Sequence, residues 1–222
     1  MNKDDYIKQF AAYAENNLDL NNLPIHEHFK SLSICIINCI YSLRANYRTT
    51  TWPIVKRYAD KFLGGDAHKE GETVSDLINN IDNNGGYESF AVNILKNRQV
   101  IGGQLKSLVC YNLAYKLKEL DINDMYDFRN YNDTSKLEKE LMSVRGVGPA
   151  AMNYLFMLVG DQNRVKYDVH IARFIEDAIG VTLNPDEVQE LFTEAVKLLK
   201  VTYPNITVTA LDNIIWQKYS AK

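Results

Sequence analysis

The chain has 222 residues, 46% of them hydrophobic and 24% charged, and its formal net charge is −3. This is the composition of an ordinary globular protein with enough apolar material for one large domain or two small lobes. No apolar run reaches transmembrane length and residues 1–20 are too polar for a secretory signal, so an intracellular, cytoplasmic protein is expected.

Taken in order, residues 5–17 place Tyr6, Phe10, Tyr13 and Ala14 on one helical stripe, and Pro24 follows in a loop. Residues 25–43 predict a long helix that is apolar on most sides through Ile36, Ile37, Cys39 and Ile40, and therefore central and buried. Cys35 and Cys39 share one face of it, but two thiols without a neighbouring histidine do not make a metal site. Together with Cys110 they are expected as buried free thiols. His26 and His28, two positions apart, point to different sides of a helix and are not read as a metal pair.

A basic loop follows, with Arg44, Tyr47 and Arg48, and then Thr49, Thr50 and Thr51, one of which is expected to cap a helix running from Trp52-Pro53 to Phe62. Glycine pairs punctuate short helices at 74–81 and 87–95. Residues 97–103 read as a turn before a helix at 104–120 with the stripe Leu105, Leu108, Val109, Leu113 and Leu117. Charge is segregated along this part of the chain. Residues 44–62 carry five basic side chains and one acidic, and 94–118 five and none, whereas 63–90 carry one and six and 119–140 three and seven. Such a chain can present a basic surface despite its negative total.

The densest information lies at 141–180. Asp133-Thr134 caps a helix at 135–144, the turn Gly146-Val147-Gly148 follows, and Pro149 opens a second helix. Two glycines permit positive φ and a close approach of backbone to a ligand. The free N–H groups of the turn and helix start can face an anion. After a polar loop at 160–164 and an extended piece at 165–167, Asp168 stands at the start of a helix ending at Gly180. Asn184-Pro185-Asp186-Glu187 opens another helix through Lys200, and 209–219 forms the last. With ten or eleven helices and no alternating β-branched run, the fold is expected to be all-α. Trp52 and Trp216 are read as core residues.

The motifs Leu141-Met-Ser-Val-Arg145-Gly-Val-Gly148 and Tyr167-Asp168-Val169-His170 resemble the helix-hairpin-helix (HhH-GPD) DNA glycosylase superfamily, which includes endonuclease III, 8-oxoguanine glycosylase and 3-methyladenine glycosylase II. The Asp-Val-His run is most similar to 8-oxoguanine glycosylase, and Met152-Asn153-Tyr154 is closer to the alkyl-base enzymes. The resemblance spans residues 29–180. It implies about ten helices in two lobes, residues 1–45 with 160–222 and residues 46–159, the latter ending in the helix-hairpin-helix at 135–159, with an interlobe cleft for a flipped-out base. It further implies Asp168 as the catalytic carboxylate, and DNA contacts from Arg145, Gly146, Val147, Gly148, Ala150 and His170. By position, Arg44, Tyr47 and Arg48 match the loop that fills the gap left by the flipped base, and Gln104, Arg98 and Lys106 match a phosphate-facing loop. A monovalent sodium or potassium ion at the carbonyls of Val144 and Gly146 is implied by resemblance alone.

Two departures shape the expectation. The position of the Schiff-base lysine in bifunctional members is Ala150, so hydrolysis without strand cleavage is expected, Lys166 being the remaining candidate for a lyase. No cysteine follows Gly180, so no iron–sulfur cluster is expected. The expected protein is thus a monomeric, monofunctional glycosylase of base-excision repair. It would act on alkylated purine or oxidised guanine in double-stranded DNA, without a membrane partner, and be nucleoid-associated if bacterial. The alternatives are a non-catalytic helix-hairpin-helix module binding DNA or protein, in which Asp168 is only a cap, and a nucleoside or nucleotide hydrolase.

Overall fold

The computed structural model describes residues 3–24 and 28–220. Twelve α-helices stand among them, with one two-stranded ribbon, so the chain is all-α as its periodicity predicts. It divides into two compact units, Met1–His26 with Gly160–Lys222, and Glu27–Val159.

The larger unit is built around α2 (Leu32–Ser42), every residue of which is buried. Helices α3 (Trp52–Phe62), α4 (Val74–Asn83), α6 (Lys106–Glu119) and α9 (Pro149–Val159) pack against it. An apolar helix enclosed in this way is stabilised by burial on all sides. The Cys39 thiol donates to the Ala151 carbonyl at 3.1 Å. Cys35 and Cys110 are likewise free and buried, and burial pushes both thiols up. Around this centre lie α5 (Gly86–Asn93), α7 (Met125–Arg129) and α8 (Thr134–Ser143).

The expected helix at 25–43 begins only at Leu32, because the Ser31 hydroxyl caps it by accepting from Ile34 N–H. Ile25 and His26 lie outside the described residues, while His28 lies in the segment before the helix. Thr51 stands at the N-cap position of α3 but makes no side-chain capping bond. Tyr47–Thr51 form a π-helical turn that runs directly into that helix, and the turn itself is capped by Asn46, whose Oδ1 accepts from Thr49 N–H at 3.0 Å. Thr51 instead donates its hydroxyl to the Tyr41 carbonyl at 3.1 Å.

In the smaller unit α1 (Lys3–Asn17), α10 (Val169–Ile179), α11 (Pro185–Leu199) and α12 (Val208–Ser220) enclose Phe10, Phe174 and Phe192. The capping box at Asn184 and Glu187 opens α11 where the sequence signals it.

Candidate active site and nucleic-acid interface

The hairpin of the larger unit joins α8 to α9. Asp133 caps α8 through Lys136 N–H, α8 closes at Val144, and Val147 N–H turns back to the Val144 carbonyl at 2.9 Å. Gly146 adopts φ +99°, and an added Cβ would meet Val109 Cγ2 at 3.1 Å and Ile101 Cγ2 at 3.3 Å, so both backbone and packing require glycine. Gly148 is different. Its φ is not positive and nothing lies within 4 Å of where its Cβ would be. The expectation that both glycines relieve backbone strain therefore holds for Gly146 only. Gly148 leaves the approach to the start of α9 open, where the N–H groups of Ala150 and Ala151 precede the first intrahelical bond, from Met152 to the Gly148 carbonyl. Val147 is buried and Ala150 half-buried.

Sequence periodicity missed the element beside this turn. Val100–Ile101 and Gln104–Leu105 form a minimal antiparallel ribbon, β1 and β2, closed by Gly102 and Gly103 at φ +60° and +80°. Two residues are too few to show an alternating pattern, but the Gly-Gly pair was the available signal. The ribbon locks onto the hairpin. Arg145 Nε donates to the Gly102 carbonyl at 2.6 Å, and Gln104 Nε2 donates to the Arg145 carbonyl at 2.6 Å. These two expected DNA contacts are thus brought together, each with one donor committed to holding the other's loop.

Lys106 is not the phosphate contact its sequence position implies. It is buried at 2% exposure, and its ammonium donates to the carbonyls of Tyr41 and Leu43 at 3.2 and 2.6 Å and to Gln99 Oε1 at 3.0 Å. A cation at a helix C-terminus complements the dipole and satisfies orphan carbonyls. It also fixes the residues that precede Arg44, which is exposed and holds a left-handed φ of +52°. That conformation is uncommon for a residue with a Cβ and costs about 1–3 kcal/mol. Tyr47 is half-buried at the start of the π-helical turn, with its hydroxyl pushed up to about 12 by burial, and Arg48 is exposed. Of the basic segments, Arg44, Arg48, Lys56, Lys61, Lys96, Arg98 and Lys118 are exposed, as is Arg145 of the hairpin, whereas Lys116 pairs with Glu119 and Glu140.

In the smaller unit Asp168 is the N-cap of α10 and half-buried. One oxygen, Oδ1, accepts from His170 N–H at 2.8 Å and from Ile171 N–H at 3.2 Å, which orients the carboxylate against the helix dipole. The His170 ring lies edge-on to Trp216 with centroids 6.3 Å apart, and its Nδ1 is buried without a hydrogen-bond partner. That ring packs into its own unit rather than standing out toward solvent.

A second carboxyl, unnoticed in the sequence, lies beside it. Asp212 on α12 is 4% exposed and its Oδ1 accepts from Lys166 N–H at 3.0 Å. Burial, reinforced by the Asp168 charge, pushes Asp212 up to about 8. The only sequence signal was a carboxylate on the apolar side of the last helix.

These helices and this hairpin have the fold of a DNA glycosylase: the chain is similar to the crystal structure of Methanocaldococcus jannaschii 8-oxoguanine glycosylase/lyase in complex with a 15mer DNA containing 8-oxoguanine. The likeness covers 99% of this chain and 89% of that one, with a TM-score of 0.52 and 15% sequence identity. By sequence the chain belongs to the family described as Domain of unknown function (DUF8548), matched over residues 6–220. No curated protein matches it.

Proposed function

We propose that this chain is a monofunctional DNA glycosylase of base-excision repair, which flips a damaged base out of duplex DNA and hydrolyses its N-glycosidic bond with Asp168. The observation that carries this reading is the state of the Asp168 carboxylate, half-buried and aimed by two main-chain N–H bonds on Oδ1. Cleavage of the bond builds oxocarbenium character on the sugar, and a fixed carboxylate near C1′ stabilises that charge or activates water against it. Alkylated purine and oxidised guanine are the proposed substrates. The neighbour acts as a glycosylase/lyase and was solved with 8-oxoguanine in DNA, which favours a lesion of this kind.

Binding rests on the larger unit. The open start of α9 at Gly148 takes a phosphate, and Arg44, exposed on a strained loop, is the proposed filler of the flipped-base gap. The Val144 carbonyl, which accepts one N–H from Val147, and the Gly146 carbonyl are neutral oxygens suited to a monovalent cation shared with that phosphate. Ala150 offers no amine for a Schiff base, which favours hydrolysis alone.

A panel of duplexes, each carrying one lesion, tests this directly. Abasic sites revealed only by hot alkali on one lesion support the reading. Nicks without alkali would overturn the monofunctional assignment and point to Lys166. Duplex binding without product on any lesion would make Asp168 a cap in a binding module.

A further inference from the structure

Asp212 is the least expected group in the smaller unit. A carboxyl buried on the inner face of a helix is costly unless something in the fold uses it. Its partner is the main chain of Lys166, two residues before Asp168. It is one of several polar groups pinning the segment that delivers Asp168. Thr209 donates its hydroxyl to the carbonyls of Asp161 and Arg164, both at 3.0 Å, and Gln189 of α11 accepts from Val165 N–H at 3.2 Å. The segment that ends in Asp168 is therefore held from α11 and α12 by its backbone, whatever its own side chains are.

Resting on the glycosylase reading of Asp168, we propose that Asp212 is the positioning residue of that site: it fixes the Lys166 main chain that carries Asp168, and its own proton decides whether the site holds one negative charge or two. Helix α12 packs against α10 and α11. The charged groups acting on Asp212 are Asp168, at the start of α10, and Lys166, in the segment before it, while α11 faces that segment with the uncharged Gln189. His170 beside them packs on Trp216 of α12. With Asp212 neutral, Asp168 is the sole carboxylate beside the reacting sugar. With Asp212 ionised, a second buried negative charge repels Asp168 and displaces the carboxylate from its aim.

The test compares Asp212→Asn and Asp212→Leu in the full chain. Asparagine keeps the acceptor for Lys166 N–H and mimics the neutral acid. Single-turnover base release by Asp212→Asn is expected within about twofold of wild type at pH 7, and without the loss of rate that wild type shows above about pH 8. Asp212→Leu is expected to fold, to lose amide-exchange protection at Lys166 and to release base at least about tenfold more slowly at every pH. An alkaline loss of rate that persists in Asp212→Asn, or a wild-type rate in Asp212→Leu, would overturn the proposal. Two readouts need no activity, which separates this proposal from failure of the glycosylase reading. Lys166 protection should survive in Asp212→Asn and vanish in Asp212→Leu. The carboxyl titration of Asp212 should move to lower pH in Asp168→Asn, and an unmoved titration would show that the two carboxyls are not coupled.

Discussion

Gln104 and Arg145, 41 residues apart, hold each other's loops: the Gln104 side-chain amide donates to the Arg145 carbonyl at 2.6 Å, and Arg145 Nε returns to the carbonyl of Gly102, two residues before Gln104, at 2.6 Å. This reciprocal clamp gives the hairpin turn a rigid neighbour on an otherwise exposed face. Because the two bonds are part of one arrangement, Gln104→Ala and Arg145→Ala are expected to be non-additive. Chemical unfolding of both singles and the double should give a coupling of about 0.5–1.5 kcal/mol. Strict additivity would mean that the loops hold independently.

The two hairpin glycines should separate structure from binding. Gly146→Ala puts a Cβ at φ +99° against Val109 and Ile101, and should cost about 1–3 kcal/mol of stability. Gly148→Ala meets nothing within 4 Å, so it should unfold like wild type. Its duplex affinity, measured by fluorescence anisotropy, should nevertheless fall, because the methyl group stands where the phosphate approaches.

Lys106→Met removes a buried ammonium from three oxygens, Tyr41 O, Leu43 O and Gln99 Oε1. Orphaning buried acceptors costs about 1–3 kcal/mol, and the loss should appear in denaturant midpoint with little change in slope. Hydrogen exchange in the 43–46 loop should rise in the same variant.

Two carboxyls, the half-buried Glu72 and the buried Asp212, give stability a definite dependence on pH. Burial pushes Glu72 up to about 7 from 4.5, where it accepts from the Tyr58 hydroxyl at 2.7 Å and Asn80 at 3.1 Å. Asp212 is pushed up to about 8 from 3.8. In both, the folded chain keeps a proton that the unfolded chain gives up. Their contribution is therefore fully present below the unfolded values and is lost as pH rises through the folded ones. Glu72→Gln and Asp212→Asn remove that loss. Their melting temperatures should gain on wild type from pH 4.5 to about 7 and from pH 3.8 to about 8 respectively. A gap constant across pH would mean that neither group holds its proton.

Much of this was legible locally. The capping pattern at Asn184 and Glu187, the Asp168 cap, Pro149 and the all-apolar α2 are each decided by neighbours a few residues away. What escaped depends on distant partners. Lys106 reads as one more basic residue until the end of α2 is placed beside it, 63–65 residues earlier. Asp212, one carboxylate on the apolar side of the last helix, has no evident use until Lys166, 46 residues earlier, meets it. The threonines before α3 read as its cap, but the π-helical turn puts Thr51 in helical conformation with no capping bond and moves the side-chain cap back to Asn46, at the start of the turn.

The most direct test of Asp168 uses its dual character. Asparagine is as good an N-cap as aspartate, so Asp168→Asn should keep the two bonds from His170 and Ile171 and melt like wild type, while Asp168→Ala should lose about 0.5–2 kcal/mol. Single-turnover base release on the preferred lesion should fall at least about 100-fold in Asp168→Asn, with duplex affinity unchanged. A wild-type rate in that variant would contradict the account and leave Asp168 as a helix cap alone.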